Sequence, residues 1–254
     1  MISLAGKAAL VTGGSRGIGA ATVKMFAQAG ADVVFSYHRN RDAAAQVEQE
    51  TKRHGTRVES FKADAGKVAD AEKLVEFARE RLGHIDILIA NAGIYTPEGN
   101  PIEKLAEKDW DEMVRVNLKG VYAVTHFVVP HMIAQKSGRI VTLSSGAAQR
   151  GSAFRSHYSA TKGAVISFTK SLALELAPHN ILVNCVSPGF IQTDMSAPLL
   201  KTKKGMKFAM EISALRRIGT PEEIAGPIVF AVSDLATFMT GEVISVNGGS
   251  ILCG

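Results

Sequence analysis

A tyrosine and a lysine four residues apart have the residue types and the spacing for proton transfer. Tyr158 and Lys162 lie in a segment of helical periodicity, where residues i and i+4 share one face. A phenol with a pKa of about 10 exchanges its proton poorly at neutral pH, and a neighbouring ammonium would lower that pKa by favouring the phenolate. The pair predicts a proton donor of the kind that reduction of a ketone to an alcohol needs at the oxygen atom. Because this spacing is also common by chance, the pair needs support from its surroundings.

Serine hydroxyls supply part of that support. Ser144 and Ser145 follow an apolar run at 139–143 that is predicted to be a strand. In open parallel sheets, ligands bind at the carboxyl ends of the strands, so a hydroxyl there would hold a substrate oxygen beside Tyr158. A plain turn residue is the alternative interpretation.

A glycine-rich segment, TGGSRGIG at 12–19, joins the first predicted strand to the first predicted helix. This is the context that a dinucleotide site requires, since the glycines let the backbone approach a pyrophosphate and the helix N-terminus faces the anion. The spacing of Gly13, Gly17 and Gly19 is GxxxGxG rather than the commoner GxGxxG. A glycine-rich turn without a ligand is therefore the alternative.

The end of the second predicted strand decides which nicotinamide cofactor would fit. An acidic residue there would accept the ribose hydroxyls of NAD and repel the 2′-phosphate of NADP. The segment Ser36–Asn40 reads SYHRN and has no acid. Arg39 would pair with a phosphate, helped by Arg16 of the glycine segment and by donors on Ser36 and His38. NADP(H) is the expected cofactor, and an Arg39 that merely begins a solvated helix is the alternative.

Short β-branched runs alternate with longer helical segments along the chain, which is typical of a parallel sheet covered by helices on both faces. Seven strands are predicted, at 8–12, 32–36, 57–62, 85–90, 139–143, 181–186 and 242–246. Helices are predicted at 17–30, 41–54, 68–82, 108–135, 156–177 and 221–232. The expected fold is α/β: a single-domain, doubly wound Rossmann fold over 1–254 with a seven-stranded parallel sheet flanked by helices. The segment 192–215, with its Met, Phe and Lys residues, is expected to be a substrate lid.

Composition excludes several other classes of protein. The 254 residues are 46% hydrophobic and 21% charged, as in an ordinary globular protein. The net charge of +5 comes from scattered Lys and Arg, with one locally basic stretch at 201–207 and no interleaved aromatics, so a nucleic-acid partner is not expected. Cys185 and Cys253 have no metal-ligand spacing, so no metal site is expected. No targeting or membrane segment is recognised, and a cytoplasmic protein is expected.

With these segments, the sequence resembles the short-chain dehydrogenase/reductase family over essentially the whole chain. The matching motifs are TGGSRGIG at 12–19, NAG at 91–93, Asn117, Ser145, YSATK at 158–162 and Pro188–Gly189. The family's spacing between serine and tyrosine selects Ser145 over Ser144. The resemblance implies ketone reduction by hydride transfer, with Asn117, Ser145, Tyr158 and Lys162 as the catalytic residues. Asn117 would distort its helix and hold a water of a proton relay that leads to Lys162.

The resemblance also implies which residues contact NADP(H). Asp64 would contact the adenine unless it only caps a helix, the Asn91–Gly93 turn would flank the adenine ribose, and Ile191 and Thr193 would seat the nicotinamide carboxamide. The full set of expected contacts is Gly13, Ser15, Arg16, Gly17, Ile18, Gly19, Tyr37, His38, Arg39, Asp64, Ala65, Asn91, Ala92, Gly93, Tyr158, Lys162, Pro188, Gly189, Ile191 and Thr193.

Within the family, the segments RIGTPEEIA at 217–225 and TGEVISVNGG at 240–249 look like those of the 3-oxoacyl-acyl-carrier-protein reductases. This likeness implies an acyl carrier protein as a partner, docked on basic residues that flank the site, at positions that correspond to Lys136 and His179. His179 departs from the arginine often found there, so a free small ketone or acyl thioester remains open.

Alternatives to a 3-oxoacyl substrate are another small ketone, a sugar or a steroid alcohol. A more remote alternative is a redox sensor that binds NADP without turnover, which a complete set of Asn117, Ser145, Tyr158 and Lys162 argues against. The resemblance implies a homotetramer, for which the apolar stretches 121–129 and 250–254 are weak indications, since core packing explains them equally well.

Overall fold

The computed structural model describes residues 2–252, in which seven parallel strands form one sheet in the order β3-β2-β1-β4-β5-β6-β7. Each strand falls within two residues of its predicted bounds, which confirms the Rossmann-type architecture. The strands are β1 (Ala8–Val11), β2 (Asp32–Tyr37), β3 (Val58–Lys62), β4 (Ile87–Ala90), β5 (Gly138–Leu143), β6 (Ile181–Pro188) and β7 (Val243–Val246).

Helices connect the strands. The helix that begins at Pro221 is capped by Thr220, which forms a capping box with Glu223. The helices are α1 (Gly17–Gln28), α2 (Arg41–Thr51), α3 (Val68–Leu82), α4 (Glu107–Val114), α5 (Gly120–Gln135), α6 (Gly146–Arg150), α7 (Ser156–Leu176), α8 (Ala197–Leu200), α9 (Lys203–Glu211) and α10 (Pro221–Val232).

The strands are apolar on both faces because both faces are covered. Alternate strand residues point to opposite sides, so Ile87 and Ile89 join a cluster with α1, α2 and α10, while Leu88 joins one with α3, α5 and α7. All three side chains are at most 1% exposed. The sheet is thus a rigid base whose carboxyl edge can hold functional groups in fixed positions.

The prediction of one regular helix at 108–135 is wrong. A π-helical turn, Arg115–Lys119, separates α4 from α5, and Asn117 lies in its middle. A π turn inserts an extra residue per turn and turns one side chain off the regular helical path. The helix distortion that the family resemblance implied at Asn117 is present.

The strand order reverses between β1 and its neighbours β2 and β4, which creates a crevice at the carboxyl edge. The glycine segment follows β1 at this crevice, and Ser145 follows β5 along the same edge. The segment predicted as a lid follows β6 and contains the short helices α8 and α9, which the sequence did not predict.

Candidate active site

The glycine segment after β1 is held by hydrogen bonds from neighbouring strands. The amide of Asn91 donates to the carbonyl oxygens of Thr12 at 2.8 Å and Gly13 at 3.1 Å, and the Gly13 N–H donates to Ser36 Oγ at 3.1 Å. A Cβ at Gly19 would lie 2.2 Å from the Gly13 oxygen, so only glycine fits there. The backbone is therefore fixed in a tight concave turn ahead of α1.

This turn has the features of an anion cradle. Gly13 and Gly17 have positive φ, at 67° and 53°, and no side chain caps the N-terminus of α1, whose N-cap residue is Arg16. Uncapped N–H groups at a helix start attract anions such as a pyrophosphate. Ser15 and Ile18 lie half-buried within the turn, whereas Arg16 is exposed and lies 3.6 Å from Asp194 of the lid.

The end of β2 presents two exposed basic side chains and no acid. His38 and Arg39 are exposed, while half-buried Tyr37 lies under the guanidinium of Arg41. The expectation that Ser36 would offer a further donor to a phosphate is wrong, because the Ser36 side chain is only 3% exposed and lies under the glycine segment. Arg39 is thus the available cation at this position.

Asp64, expected at the adenine, is engaged by Arg115 of the π turn. Arg115 Nη1 lies 3.1 and 3.0 Å from the two Asp64 carboxylate oxygens, and the Gly66 N–H donates to one of them at 2.9 Å. Burial raises the pKa of Asp64, but hydrogen bonds from Gly66 and Arg115 outweigh it and leave that pKa lowered. Nothing in the sequence pattern pointed to Arg115, which ties the Asp64 loop to α4. The adjacent Ala65 packs its carbonyl against Gly120.

The turn after β4 holds the glycine segment on one side and Asn117 on the other. The backbone N–H groups of Asn91 and Ala92 both donate to Thr12 Oγ1 at 3.0 Å. A Cβ at Gly93 would lie 3.1 Å from Asn117 Oδ1 and 3.5 Å from Lys162 Nζ, so the glycine leaves room for both groups.

Asn117 is fully buried, and its side chain bonds to the main chain of Ile94. Its Oδ1 accepts from the Ile94 N–H at 2.7 Å and its Nδ2 donates to the Ile94 oxygen at 3.0 Å. Asn117 thereby fixes the chain that leads to Tyr95. Its expected role in a water relay stays a prediction.

Ser145, rather than Ser144, faces the crevice. Ser144 is buried, and its hydroxyl donates to the Lys162 carbonyl at 2.8 Å, which locks β5 to α7. Ser145 is half-buried at the N-terminus of α6, where its hydroxyl accepts from the Ala147 N–H at 3.2 Å and interacts with the Tyr158 phenol. The geometry agrees with the choice of Ser145 from the family's spacing.

Tyr158 and Lys162 lie together in the first turns of α7, 8% and 5% exposed. The expectation of a net lowered pKa for Tyr158 is wrong for this structure. Burial raises the pKa of Tyr158 to about 12, with a weaker opposing effect from Ser145. Lys162 instead directs its ammonium to the Leu143 carbonyl at 2.7 Å, and burial lowers its own pKa to about 8.

Three further side chains around Tyr158 were missed from the sequence. The ring of Tyr95 meets that of Tyr158 edge to face at 5.0 Å, and the Arg155 guanidinium lies 5.4 Å from the Tyr95 ring centre. Arg150, at the end of α6, lies 5.9 Å from the Phe208 ring centre. The sequence feature that could have pointed to Arg150 and Arg155 is their position in the chain between Ser145 and Tyr158.

The segment after β6 reaches from the crevice to the lid. Pro188 ends β6, and Gly189 packs against Asn247, where a Cβ would lie 2.8 Å from that main chain. The Ile191 carbonyl, expected near a carboxamide, already accepts from Ser196 Oγ at 2.5 Å, which leaves the Ile191 N–H as the backbone group for that role. Thr193 lies against Gly17, so the lid begins beside the anion cradle.

The segment predicted as a lid makes an aromatic contact with the loop after β6. Phe208 of α9 meets Phe190 edge to face at 6.0 Å. The same segment and the residue that follows it bear a cavity of about 620 Å³, which is lined by Leu200, Lys201, Thr202, Lys203, Met206, Lys207, Met210, Glu211 and Arg216.

Lys136 and His179 do not flank this site within one chain. Lys136 precedes β5 and His179 precedes β6, and the Asn180 amide donates to the Lys136 oxygen at 3.2 Å. Both residues therefore lie at the amino edge of the sheet, opposite the crevice. The expectation that they flank the site is wrong because sequence numbers do not tell which edge a loop occupies.

Residues 2–252 contain no cluster of three side chains placed to bind a metal ion and no helix long and apolar enough to span a membrane. Cys253 lies outside the described residues, and Cys185 is a buried free thiol. The chemistry that the crevice offers is proton donation by a buried phenol beside a hydroxyl and an ammonium, next to an anion cradle.

Known proteins with similar sequences support this description. A family model described as enoyl-(acyl carrier protein) reductase matches residues 13–250. The chain is 41% identical to the 3-oxoacyl-[acyl-carrier-protein] reductase FabG of Aquifex aeolicus, with 98% of each chain covered. It is 39% identical to the enzyme of the same name from Thermotoga maritima, covering 98% of this chain and 99% of the relative.

Solved structures agree with the fold over the full length. A short-chain dehydrogenase from Burkholderia cenocepacia in complex with NADP superposes with a TM-score of 0.90 at 32% identity, covering 97% of this chain and 98% of the other. A short-chain dehydrogenase/reductase, glucose/ribitol dehydrogenase, from Brucella melitensis superposes with a TM-score of 0.89 at 38% identity, covering 99% of both chains.

Proposed function

Because the chain belongs to the short-chain dehydrogenase/reductase family, we propose that it is an NADPH-dependent reductase that converts a 3-oxoacyl thioester into the 3-hydroxyacyl thioester. The observation that carries the proposal is the position of Ser145, Tyr158 and Lys162 at the carboxyl edge of the sheet, beside the glycine cradle. A site that only binds the cofactor does not require a buried phenol beside a serine hydroxyl and an ammonium.

The residues present fit NADP(H). The glycine turn has positive φ at Gly13 and Gly17, and the uncapped start of α1 suits a pyrophosphate. Arg39 has no acidic neighbour on β2 and suits a 2′-phosphate. The NADP complex of the Burkholderia relative supports this choice of cofactor. When bound, NADPH supplies the hydride that the carbonyl carbon receives.

In the proposed reaction, this chain's residues manage the oxygen atom and the proton. Ser145 donates a hydrogen bond to the ketone oxygen and holds it beside Tyr158. As the carbon gains a hydride, the oxygen gains negative charge, and Tyr158 transfers its phenolic proton to it. The Lys162 ammonium stabilises the phenolate left behind, because an opposite charge favours the ionised form. In total, the reaction adds one hydride and one proton across the C=O bond.

The raised pKa of Tyr158 keeps the phenol in the form that carries the proton. With a pKa of about 12, the phenol is fully protonated at neutral pH and ready to give up its proton when an alkoxide forms. Asn117 acts by fixing Ile94 and thus the Tyr95 ring that packs on Tyr158. A water held by Asn117 and passing protons to Lys162 remains part of the proposal.

A second candidate function is the oxidation or reduction of a sugar or another small ketone or alcohol. The Brucella relative, a glucose/ribitol dehydrogenase at 38% identity, is the observation that favours it. The two candidates share Tyr158, Ser145 and Lys162, so the residues of the crevice do not separate them. Substrate preference is the measurement that does.

We further propose a single-domain protein with a lid at 192–215, assembled as a homotetramer in the cytoplasm. One continuous sheet supports the single domain. Exposed apolar side chains support assembly: Trp110 and Tyr122 on α4 and α5, and Phe230, Leu235 and Phe238 on and after α10. The buried thiol of Cys185 is compatible with a reducing compartment.

The test measures NADPH oxidation with acetoacetyl-N-acetylcysteamine, methyl acetoacetate, glucose and ribitol. The native protein should reduce the acetoacetyl thioester, and Tyr158→Phe should lower kcat by about 100- to 10,000-fold while NADPH still binds. Tyr122→Phe, an exposed tyrosine on α5, is the matched control and should leave kcat unchanged. Turnover of sugars without any thioester turnover would refute the proposed substrate, and full activity of Tyr158→Phe would refute the mechanism.

A further inference from the structure

Arg150 lies between the lid and the proposed proton donor. It ends α6, which begins directly after Ser145, so only four residues of about 1.5 Å rise each separate it from the residue whose hydroxyl would hold the ketone. Its guanidinium lies 5.9 Å from the ring centre of Phe208 on the lid. Its charge also acts on the Tyr95 phenol, whose ring contacts that of Tyr158. Arg150 therefore belongs to the wall of the substrate cleft.

Within residues 2–252, the Arg150 side chain has neither an ion pair nor a hydrogen bond. The neighbouring Arg155 is already used, since it lies over Tyr95 and donates to the Pro97 oxygen at 2.5 Å. The surroundings of Arg150 desolvate it enough to lower its pKa, and no carboxylate offsets this effect. Its side chain is nevertheless exposed at the cleft wall, so a guanidinium that is charged at every physiological pH is available to an anion entering the cleft.

We infer that Arg150 binds an anionic group of the substrate, a carboxylate or a phosphate, and so selects negatively charged ketones. The planar fork of a guanidinium matches both anions with paired hydrogen bonds. The inference rests on the proposed function for the position of the ketone at Ser145 and Tyr158, and it names the charge class of the substrate at that site. The anion has two sources: a carboxylate on the substrate's own carbon chain, or a phosphate of the arm that carries a thioester.

The test compares matched charged and neutral substrates. Acetoacetate against methyl acetoacetate probes the carboxylate, and acetoacetyl-coenzyme A against acetoacetyl-N-acetylcysteamine probes the phosphate. For each pair, we divide kcat/KM for the charged substrate by kcat/KM for the neutral one. This ratio is measured for the native protein and for Arg150→Met, in which methionine keeps an apolar side chain over Phe208. The ratio should fall about 10- to 100-fold in one pair, because a charge-assisted hydrogen bond is lost.

Two further variants make the result specific. Arg150→Lys, which keeps the charge but not the fork, should give an intermediate ratio. Arg53→Gln removes a positive charge from the distant turn after α2 and should leave both ratios unchanged. A fall in the first pair identifies a carboxylate and a fall in the second identifies a phosphate. Unchanged ratios in both pairs for Arg150→Met would overturn the inference.

Failure of the proposed function gives a different result from failure of this inference. If the native protein turns over neither thioester, the proposed 3-oxoacyl substrate is refuted. Arg150 can still be tested in that case, by calorimetric titration of the NADP⁺ complex with acetoacetate and with phosphopantetheine. Binding that weakens about 10-fold or more in Arg150→Met supports the inference. Equal binding to both forms, or none to the native complex, counts against it.

Discussion

Lys162 Nζ donates a hydrogen bond to the main-chain oxygen of Leu143 at 2.7 Å, at the carboxyl end of β5. Leu143 is two residues before Ser145, and Lys162 is one helical turn after Tyr158. The contact therefore holds a buried ammonium close to both of these residues. With pKa values of about 8 for Lys162 and about 12 for Tyr158, both groups carry their protons at pH 7. This is the protonation state that reduction of a ketone requires.

The pH dependence of reduction follows from Lys162. Its ammonium form predominates below its pKa of about 8 and is lost as the pH rises through that value. We expect kcat/KM for ketone reduction to be constant from about pH 6 to 7 and to fall about tenfold per pH unit well above the pKa. Initial rates of NADPH oxidation across this range check the prediction. A rate that climbs between pH 7 and 9 would contradict it.

Lys162 should also reduce the stability of the folded protein. Its folded-state pKa of about 8 lies below the ordinary 10.5, so the charged form favours unfolding below about pH 8, and this penalty disappears as the pH approaches 10.5. The difference corresponds to about 3 kcal/mol. Lys162→Met should therefore raise the free energy of unfolding by about 1–3 kcal/mol at pH 6.5, less the lost bond to Leu143.

Urea unfolding at pH 6.5 and 10.5 measures this effect, and the gain should be present only at the lower pH. Lys170→Met is the matched control, because Lys170 is exposed on the same helix and should show no gain. A Lys162→Met protein that is less stable than the native one at pH 6.5 would disprove the argument.

Cofactor selectivity should depend on Arg39 and not on its neighbour Arg41. Arg41 is already bound to Ser60 at 2.8 Å and to Glu48 at 3.3 Å, whereas Arg39 is exposed at the end of β2. Arg39→Ala should lower the preference for NADPH over NADH about 10- to 100-fold, because a phosphate contact is worth about 1.5–3 kcal/mol. The ratio of kcat/KM for the two cofactors is the measurement. An equal effect of Arg41→Ala would assign the phosphate elsewhere.

Asn117 should matter for folding as well as for activity. Replacement by alanine leaves the Ile94 N–H and carbonyl without partners in a partly buried region. The free energy of unfolding should fall by about 2–4 kcal/mol, since each unpaired buried group costs about 1–3 kcal/mol. Asn117→Asp should also destabilise, because a carboxylate accepts from the Ile94 N–H but cannot donate to its oxygen. Denaturant unfolding measures the change. A decrease in the free energy of unfolding of less than about 0.5 kcal/mol, which is about the experimental error, would exclude a structural role for Asn117.

An acyl carrier protein, if it is the substrate carrier, should meet the lid rather than Lys136. The lid cavity is lined by Lys201, Lys203 and Lys207, whereas Lys136 lies at the opposite edge of the sheet. Lys201→Glu with Lys203→Glu should raise KM for an acetoacetyl-carrier protein about tenfold, since charge reversal repels an acidic partner. The KM for acetoacetyl-N-acetylcysteamine serves as the internal control and should stay constant. A larger effect from Lys136→Glu would place the carrier at the other edge.

Much of the site was predictable because its contacts are local or are fixed by strand ends. The glycine turn connects one strand to one helix, and Tyr158 and Lys162 share a single helix face, so sequence spacing alone places them. The choice between Ser144 and Ser145 needed the family resemblance, since both residues follow β5. The structure explains the choice, because Ser144 is bonded to the Lys162 carbonyl.

Other features depend on residues that are far apart in the chain. Arg115 and Asp64 are 51 positions apart, and no pattern in the sequence links them. The same is true of Arg150 and Phe208, whose contact depends on how the lid folds back. Lys136 and His179 were predicted near the site, but the direction of β5 and β6 places them at the opposite edge.

The sequence by itself determined the alternation of strands and helices, the glycine turn and the pair Tyr158 and Lys162, because these depend on periodicity and on short-range spacing. Ser145 was selected by the family resemblance. Only the tertiary structure decided the charge environment of those residues. Burial, and not the nearby ammonium, controls the pKa of Tyr158, since desolvation depends on every element that packs around the phenol. The direction of Lys162 toward Leu143 depends likewise on the packing of α7 against β5, which no local pattern encodes.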